Sequence, residues 1–520
     1  MNSRRRASAI IVLAVLLAAA PHDDAHALAS SPETADSVTR QPGIRPDYSN
    51  TVIPPNIAPL NFAVQEPGTA YRVRLRSEKG TGIDIRCNSP SVTIPPRQWR
   101  TLLEQNRGGR LSIEIEARRE DGTWRRFAPI ESAIARENID SHLVYRLLGA
   151  VFVNWNHIGI YQRDLETYDE RPILCNTSFE NGCVNCHAFA NGNPELFSLQ
   201  VRPSSMKPFA SGMLVVREDS AARLSTQSKA LPTPPTYTTW HPSGRWAAVS
   251  LTRSEQFMHS AGAETREVYD RYSDLALIDT MTGEISSPSV IADPGKIETF
   301  PAWSADGRCL YFCTAPIRKE APSLPPFAGS ETVRYDLMRI PFDPETLAWG
   351  KLETVLTADR AGGSISEPRP SPDGRFLVFC RSDHGAFQVL QSDCDLYIMD
   401  LTQKDELPFR PMAAANSPRT DSWHCWSRNS RWLVFSSKRD SGLFARPYIS
   451  YIDREGHESK PFVVPQKDPL FYDSYLKTYN VPELVEGPVR VSQQELSRAI
   501  HAAASPESVE NHAADAVAPN

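Results

Sequence analysis

The feature that most restricts this chain is a turn that returns four times. Trp240-His-Pro-Ser-Gly244-Arg-Trp, Trp303-Ser-Ala-Asp-Gly307-Arg-Cys, Pro370-Ser-Pro-Asp-Gly374-Arg-Phe and Trp426-Ser-Arg-Asn-Ser430-Arg-Trp align on their fifth residue, 63, 67 and 56 residues apart. Asp-Gly or Asn-Ser between apolar runs marks a tight hairpin turn, because the turn needs a residue that tolerates positive φ. Each turn leads into an apolar run: 246–250, 309–313, 376–380 and 432–436. A second hairpin follows in each unit, starting at Asp274, Asp336, Asp395 and Tyr448. Two hairpins per unit at a period near 60 residues predict four-stranded propeller blades. A helical repeat is excluded, since the runs alternate with period two and end in turn residues.

These turns resemble the W-S-P-D-G-R blades of the TolB-like (WD40-like repeat) propellers, with Ser371-Pro-Asp-Gly-Arg375 the best match and 426–431 the weakest. The repeat resemblance covers roughly 237–465. The wider chain also resembles a group of exported bacterial TolB-like propellers that carry one C-x-x-C-H motif. The matching stretches are Asn56-Ile-Ala-Pro-Leu-Asn-Phe62, Ile160-Tyr-Gln-Arg-Asp-Leu165, Asn185-Cys-His187 and Asn429-Ser-Arg-Trp432. The expected fold class is therefore all-β: a propeller of about six blades, preceded by a small β-sandwich-like domain and carrying a haem-binding loop. Residues 139–490 have room for about six blades, one or two of them degenerate and placed between 145 and 235, with five or seven blades as the alternatives.

The remaining segments follow from local pattern. Arg4, Arg5 and Arg6 before the short apolar run 9–20, with Ala25-His-Ala27 as a cleavage site, predict a signal peptide over 1–27 and an exported, periplasmic chain. Residues 28–55 read as a linker. Alternation in 71–76, 91–94 and 111–117, with the Asp121-Gly122 turn, predicts the sandwich-like domain over 56–138, with one helix over 97–105. The Ala-, Ser- and Glu-rich end, 491–520, reads as a disordered tail. A net charge of −6 offers no basic patch for nucleic acid, and no further apolar run is long enough to span a membrane.

Cys183-Val-Asn-Cys186-His187 carries the chemistry. Two thiols three positions apart can form thioethers to the two vinyl groups of one porphyrin edge, and the next histidine then lies under the iron. Cys183 and Cys186 are thus the expected covalent anchors of one haem c, with His187 the proximal ligand. Three rivals stay open: a Cys183–Cys186 disulfide, a redox dithiol, and a zinc site that adds Cys175. The Asn-, Gly- and Pro-rich stretch 170–210 reads as a haem loop inserted in the first propeller region.

His259, in a long hairpin connection, is the leading candidate for the sixth iron ligand, and Met213 the alternative; Met206, His424 and His157 rank below. His424 reads as packing among aromatics in the propeller channel. Cys313 and Cys380 share a blade position with Ser250 and Ser436, which reads as a packing site for a small side chain. No G-x-S-x-G elbow and no H-E-x-x-H is present. The expected role is electron transfer or docking of a redox partner protein. The alternative is a scaffold for a protein or glycan with a structural or sensory haem, and peroxidase-like chemistry would need an open iron.

Overall fold

A computed structural model describes residues 36–502 apart from 150–156, 203–210, 227–233, 260–265, 319–328 and 404–406. The expected signal peptide, Met206 and residues 503–520 lie outside the described residues.

Six four-stranded antiparallel units, one with an additional short edge strand, surround an axis. Blade 2 runs from Cys183–Phe189 through Leu196–Arg202 and Gly212–Arg217 to Ser220–Ser225. Blades 3, 4, 5 and 6 begin with the inner strands Thr238–Trp240, Lys296–Trp303, Ser364–Pro370 and Asp421–Trp426. Blade 1 is composite. Its three outer strands, His142–Gly149, Gly159–Asp164 and Glu170–Cys175, come from the start of the propeller. Its inner strand, Lys477–Val485, comes from the end and pairs Leu484 with Leu143. The six inner strands touch their neighbours in a closed ring. Joining the start and the end of the propeller through one sheet ties the ring with backbone hydrogen bonds.

The repeated turns take the backbone that their residues allow. Gly244, Gly307 and Gly374 have φ near +70°, and Ser430 holds the same place at φ 60°. Strands leaving these turns are buried on both faces, so they read as continuous apolar runs.

Two sheets, of seven and three strands, form the N-terminal domain, with the helix Pro96–Gln105 against them. Phe62 and Val92 of the small sheet share one core with Val73, Leu111 and Ile113 of the large one, and Trp99, Leu102 and Leu103 of the helix join it. The core continues into blades 5 and 6. Trp432 seals the junction, fully buried, donating its ring N–H to the Asn138 carbonyl at 3.1 Å.

Three expectations need correction. Residues 170–202 of the expected haem loop 170–210 fold into strands of blades 1 and 2, and the motif lies on the inner strand of blade 2. The irregular look of the stretch comes from Asn191-Gly192, which is the blade's own hairpin turn, and from a bulge inside the strand. The linker 28–55 is not free of structure: Asp36–Ser37, Ile44–Arg45 and Val52–Ile53 are strands of the N-terminal sheets. The tail 491–520 begins with a helix, Gln493–His501, which buries Leu496, Ala499 and Ile500 against blades 1 and 2. Ser492 caps it by accepting from the Glu495 N–H at 3.1 Å.

Candidate functional site in the propeller channel

Every inner strand except that of blade 3 has a register shift at one place. The bulge turns one residue toward positive φ: Phe300, Glu367, Trp423 and Val481 lie between 48° and 54°. Register places Cys186 at the equivalent position in blade 2, with His187 next. Aligned this way, 185–189, 299–303, 366–370, 422–426 and 480–484 are one repeated pentapeptide, Asn-Cys-His-Ala-Phe being the blade 2 copy. His187 therefore sits at the level of Pro301, Pro368, His424 and Pro482. Strand bulges re-aim side chains, and here they aim them at the channel.

His187 has a fully buried side chain, and neither ring nitrogen has a hydrogen-bond partner. Burial, helped by the charges of Arg146 and Arg369, pushes its pKa down to about 3, so the ring is neutral. Backbone groups of Val481 and Val144 offset this in part, although neither bonds the ring with good geometry. Nε2 lies 4.0 Å from Glu483 Oε1, which also has no partner. The other carboxylate oxygen of Glu483 accepts from the Phe189 N–H at 3.1 Å. Burial raises Glu483 to about 7, and Arg369 works against this.

Cys183 is half-buried where the inner strand enters the channel. It lines a cavity of about 120 Å³ with Arg146, Asn185, Tyr237, Trp423 and Val481. A smaller space beside His187 shares Tyr237, Trp423 and Val481 as walls. These three side chains separate thiol from imidazole. At the opposite mouth, a cavity of about 360 Å³ is lined by Trp240, Trp303, Trp426, Arg369 and Glu483.

The other candidates lie elsewhere. His259, 38 % exposed, ends a long hairpin strand and faces Glu267 at 3.6 Å. It lines neither cavity at the motif. Met213 is fully buried in the core between blades 2 and 3, with Ala188, Leu224 and Trp240. His157 is exposed in a turn at φ 59°. Cys175 ends the outermost strand of blade 1, its thiol 3.5 Å from the Tyr161 hydroxyl. His424 is buried as expected, but its contacts are polar: Nε2 lies 2.9 Å from the Val378 carbonyl and Nδ1 3.7 Å from the Cys380 sulfur. Sequence reasoning missed Glu367, Arg369 and Glu483. Aligning the inner pentapeptides rather than the outer turns would have found them.

The donors at the motif suit a haem: a thiol at the channel entrance, a second cysteine on the same strand, and a neutral imidazole with both nitrogens uncommitted. The space is tighter than the donors. A cavity of about 120 Å³ is below the roughly 300 Å³ at which small-molecule pockets begin. Tyr237 and Trp423 would have to swing aside to admit a porphyrin.

No family model matches this chain, and no curated protein matches it. Among solved structures it is similar to an oligogalacturonate lyase in complex with manganese, at 12 % identity and a TM-score of 0.35 over 62 % of this chain and 73 % of that one. It is also similar to the oligogalacturonate lyase of Vibrio parahaemolyticus (10 %, 0.33, 75 % and 100 %) and to prolyl oligopeptidase B of Galerina marginata (14 %, 0.35, 77 % and 54 %). The propeller assignment rests on the closed ring of four-stranded sheets described above.

Proposed function

We propose that this chain is an exported TolB-like propeller carrying one haem c, held by Cys183 and Cys186 with His187 as axial ligand, and that it passes single electrons to a docked redox partner. The observation that carries the reading is His187. A buried imidazole with neither nitrogen bonded leaves a polar cost that a ligand bond would remove. When bound, a haem supplies one-electron chemistry. The residues of the chain then have definite tasks. Arg146 holds the strand in register by donating to the side chain of Asn185. Burial, aided by the charges of Arg146 and Arg369, keeps His187 neutral, the form that binds iron. Glu483, anchored by the Phe189 N–H, holds its other oxygen 4.0 Å from His187 Nε2, where it orients the ring. Among the described residues no helix is long and apolar enough to cross a membrane.

A second reading is favoured by the opposite channel mouth. Three tryptophans around Arg369 and Glu483 form a lined funnel of about 360 Å³, suited to a protein segment or a glycan. In that case the motif serves structure or sensing.

The test is an optical spectrum and a denaturing haem-stain gel of protein made with cytochrome c maturation. Covalent haem with sharp α and β bands on reduction supports electron transfer. A high-spin spectrum that shifts with carbon monoxide supports sensing or peroxide chemistry. Absence of covalent haem removes the first reading and leaves the binding module.

A further inference from the structure

Three potential metal ligands meet where blade 5 faces blade 6, and one of them, Glu367, also lines the small space beside His187. They are Glu367 on the inner strand of blade 5, Cys380 on the next strand of the same blade, and His424 on the inner strand of blade 6. All three are buried, and one donor atom from each lies within 4.8 Å of the others. We propose that Glu367, Cys380 and His424 bind one zinc-class divalent ion that clips blade 5 to blade 6 beside the channel.

The spacing carries the argument. Zinc sits about 2.3 Å from sulfur and about 2.0–2.2 Å from nitrogen or oxygen, so tetrahedral ligands lie roughly 3.5 Å from one another. Cys380 Sγ is 3.5 Å from Glu367 Oε2 and 3.7 Å from His424 Nδ1. The outer contacts are those that such ligands need. His424 Nε2 meets the Val378 carbonyl at 2.9 Å, which fixes the proton on Nε2 and turns the Nδ1 lone pair toward the sulfur. Glu367 Oε2 accepts from the Trp423 N–H at 3.0 Å, which orients the carboxylate. Glu367 Oε1 is buried without a partner, a second and independent sign of a missing ligand. Carboxylate, thiolate and neutral imidazole together carry two negative charges, so a divalent ion makes the buried group neutral.

Binding forms Zn–S, Zn–N and Zn–O bonds to thiolate, imidazole and carboxylate; any S–H or O–H proton these groups carry passes to solvent, with no change of oxidation state. The mixed sulfur, nitrogen and oxygen set favours zinc over harder magnesium or calcium.

The experiment is metal analysis of the full-length chain after stripping with a chelator and reloading with zinc, followed by zinc-edge X-ray absorption. Haem iron is counted separately, so failure of the haem reading and failure of this one are distinguishable. The expected result is one zinc per chain with one sulfur and the remaining ligands nitrogen or oxygen, kept in C183A/C186A and weakened at least about tenfold in C380S and H424N. Variants that do not fold, judged by circular dichroism, are set aside, and the wild-type ligand set then decides alone. No stoichiometric zinc in the wild type, a site with two sulfurs, or loss of zinc in folded C183A/C186A but not in folded C380S overturns the proposal.

Discussion

The inner strands of blades 2 and 6 bulge at the same register and place a histidine at the same level, yet the two side chains are in opposite situations. His424 follows Trp423 and has both nitrogens engaged, one with the Val378 carbonyl and one with the Cys380 sulfur. His187 follows Cys186 and has neither engaged. Burial pushes both to about 3. Equal desolvation with unequal partners shows that the fold imposes burial at this level, while the neighbouring strands decide whether the cost is met. A position that the fold buries and its neighbours leave unsatisfied is where a ligand has most to gain.

The contrast can be broken most directly by removing each imidazole from protein made without haem and stripped of metal. His424→Leu leaves the Val378 carbonyl and the Cys380–Glu367 pair without their partner. It should cost about 2–4 kcal/mol in urea unfolding. His187→Leu deletes two unbonded nitrogens and should cost less than about 1 kcal/mol, or stabilise. Equal losses would show that His187 has partners of its own and would weaken the haem reading.

A titration sharpens the comparison at a control position. Glu298 lies one residue before the pentapeptide of blade 4 and is buried with Oε2 unpartnered. Burial, with Asp274 and Asp293 adding repulsion, raises it to about 8. Its folded value lies above the unfolded one, so the native state binds more protons. Stability from this group is present below about pH 4.5 and is lost as pH rises toward about 8. Glu298→Gln should match wild type near pH 4 and exceed it near pH 9, by on the order of 2 kcal/mol. Identical pH profiles would show that water reaches this level of the channel and that burial there is weaker than the histidines suggest.

The smallest effect separates the two sides of the ring. The C-terminal helix packs on the outer strands of blades 1 and 2, Glu170–Cys175, Gly212–Arg217 and Ser220–Ser225, with no comparable contact to blade 6. Ser492→Ala removes its cap and should cost about 1 kcal/mol. Hydrogen exchange should speed up in 170–175 and 212–225 and stay unchanged in 421–437. A uniform increase would mean that the ring opens as one unit.

Much of the architecture was legible because it is local. The four turns give blades 3 to 6 away, since positive φ at Gly244, Gly307, Gly374 and Ser430 needs particular residues in sequence. Blades 1 and 2 were legible only as space. Blade 2 turns at Asn191-Gly192 without the tryptophan that marks blades 3, 4 and 6. Blade 1 takes its inner strand from 477–485, more than 300 residues after its outer strands. The capping pair Ser492 and Glu495 was present in the sequence but was outweighed by the composition around it.

What the sequence determined alone is the repeat, the strand-forming runs and the identity of the C-x-x-C-H residues, all of which depend on neighbours along the chain. What only the tertiary structure decided is which side chains meet. Glu483 reaches the Phe189 N–H across 294 residues, and His424 meets Cys380 across 44. The physical reason is the bulge in the inner strands. It breaks the period of two, turns one residue of each affected blade toward the axis, and assembles the channel from segments whose distance in sequence carries no signal of their contact.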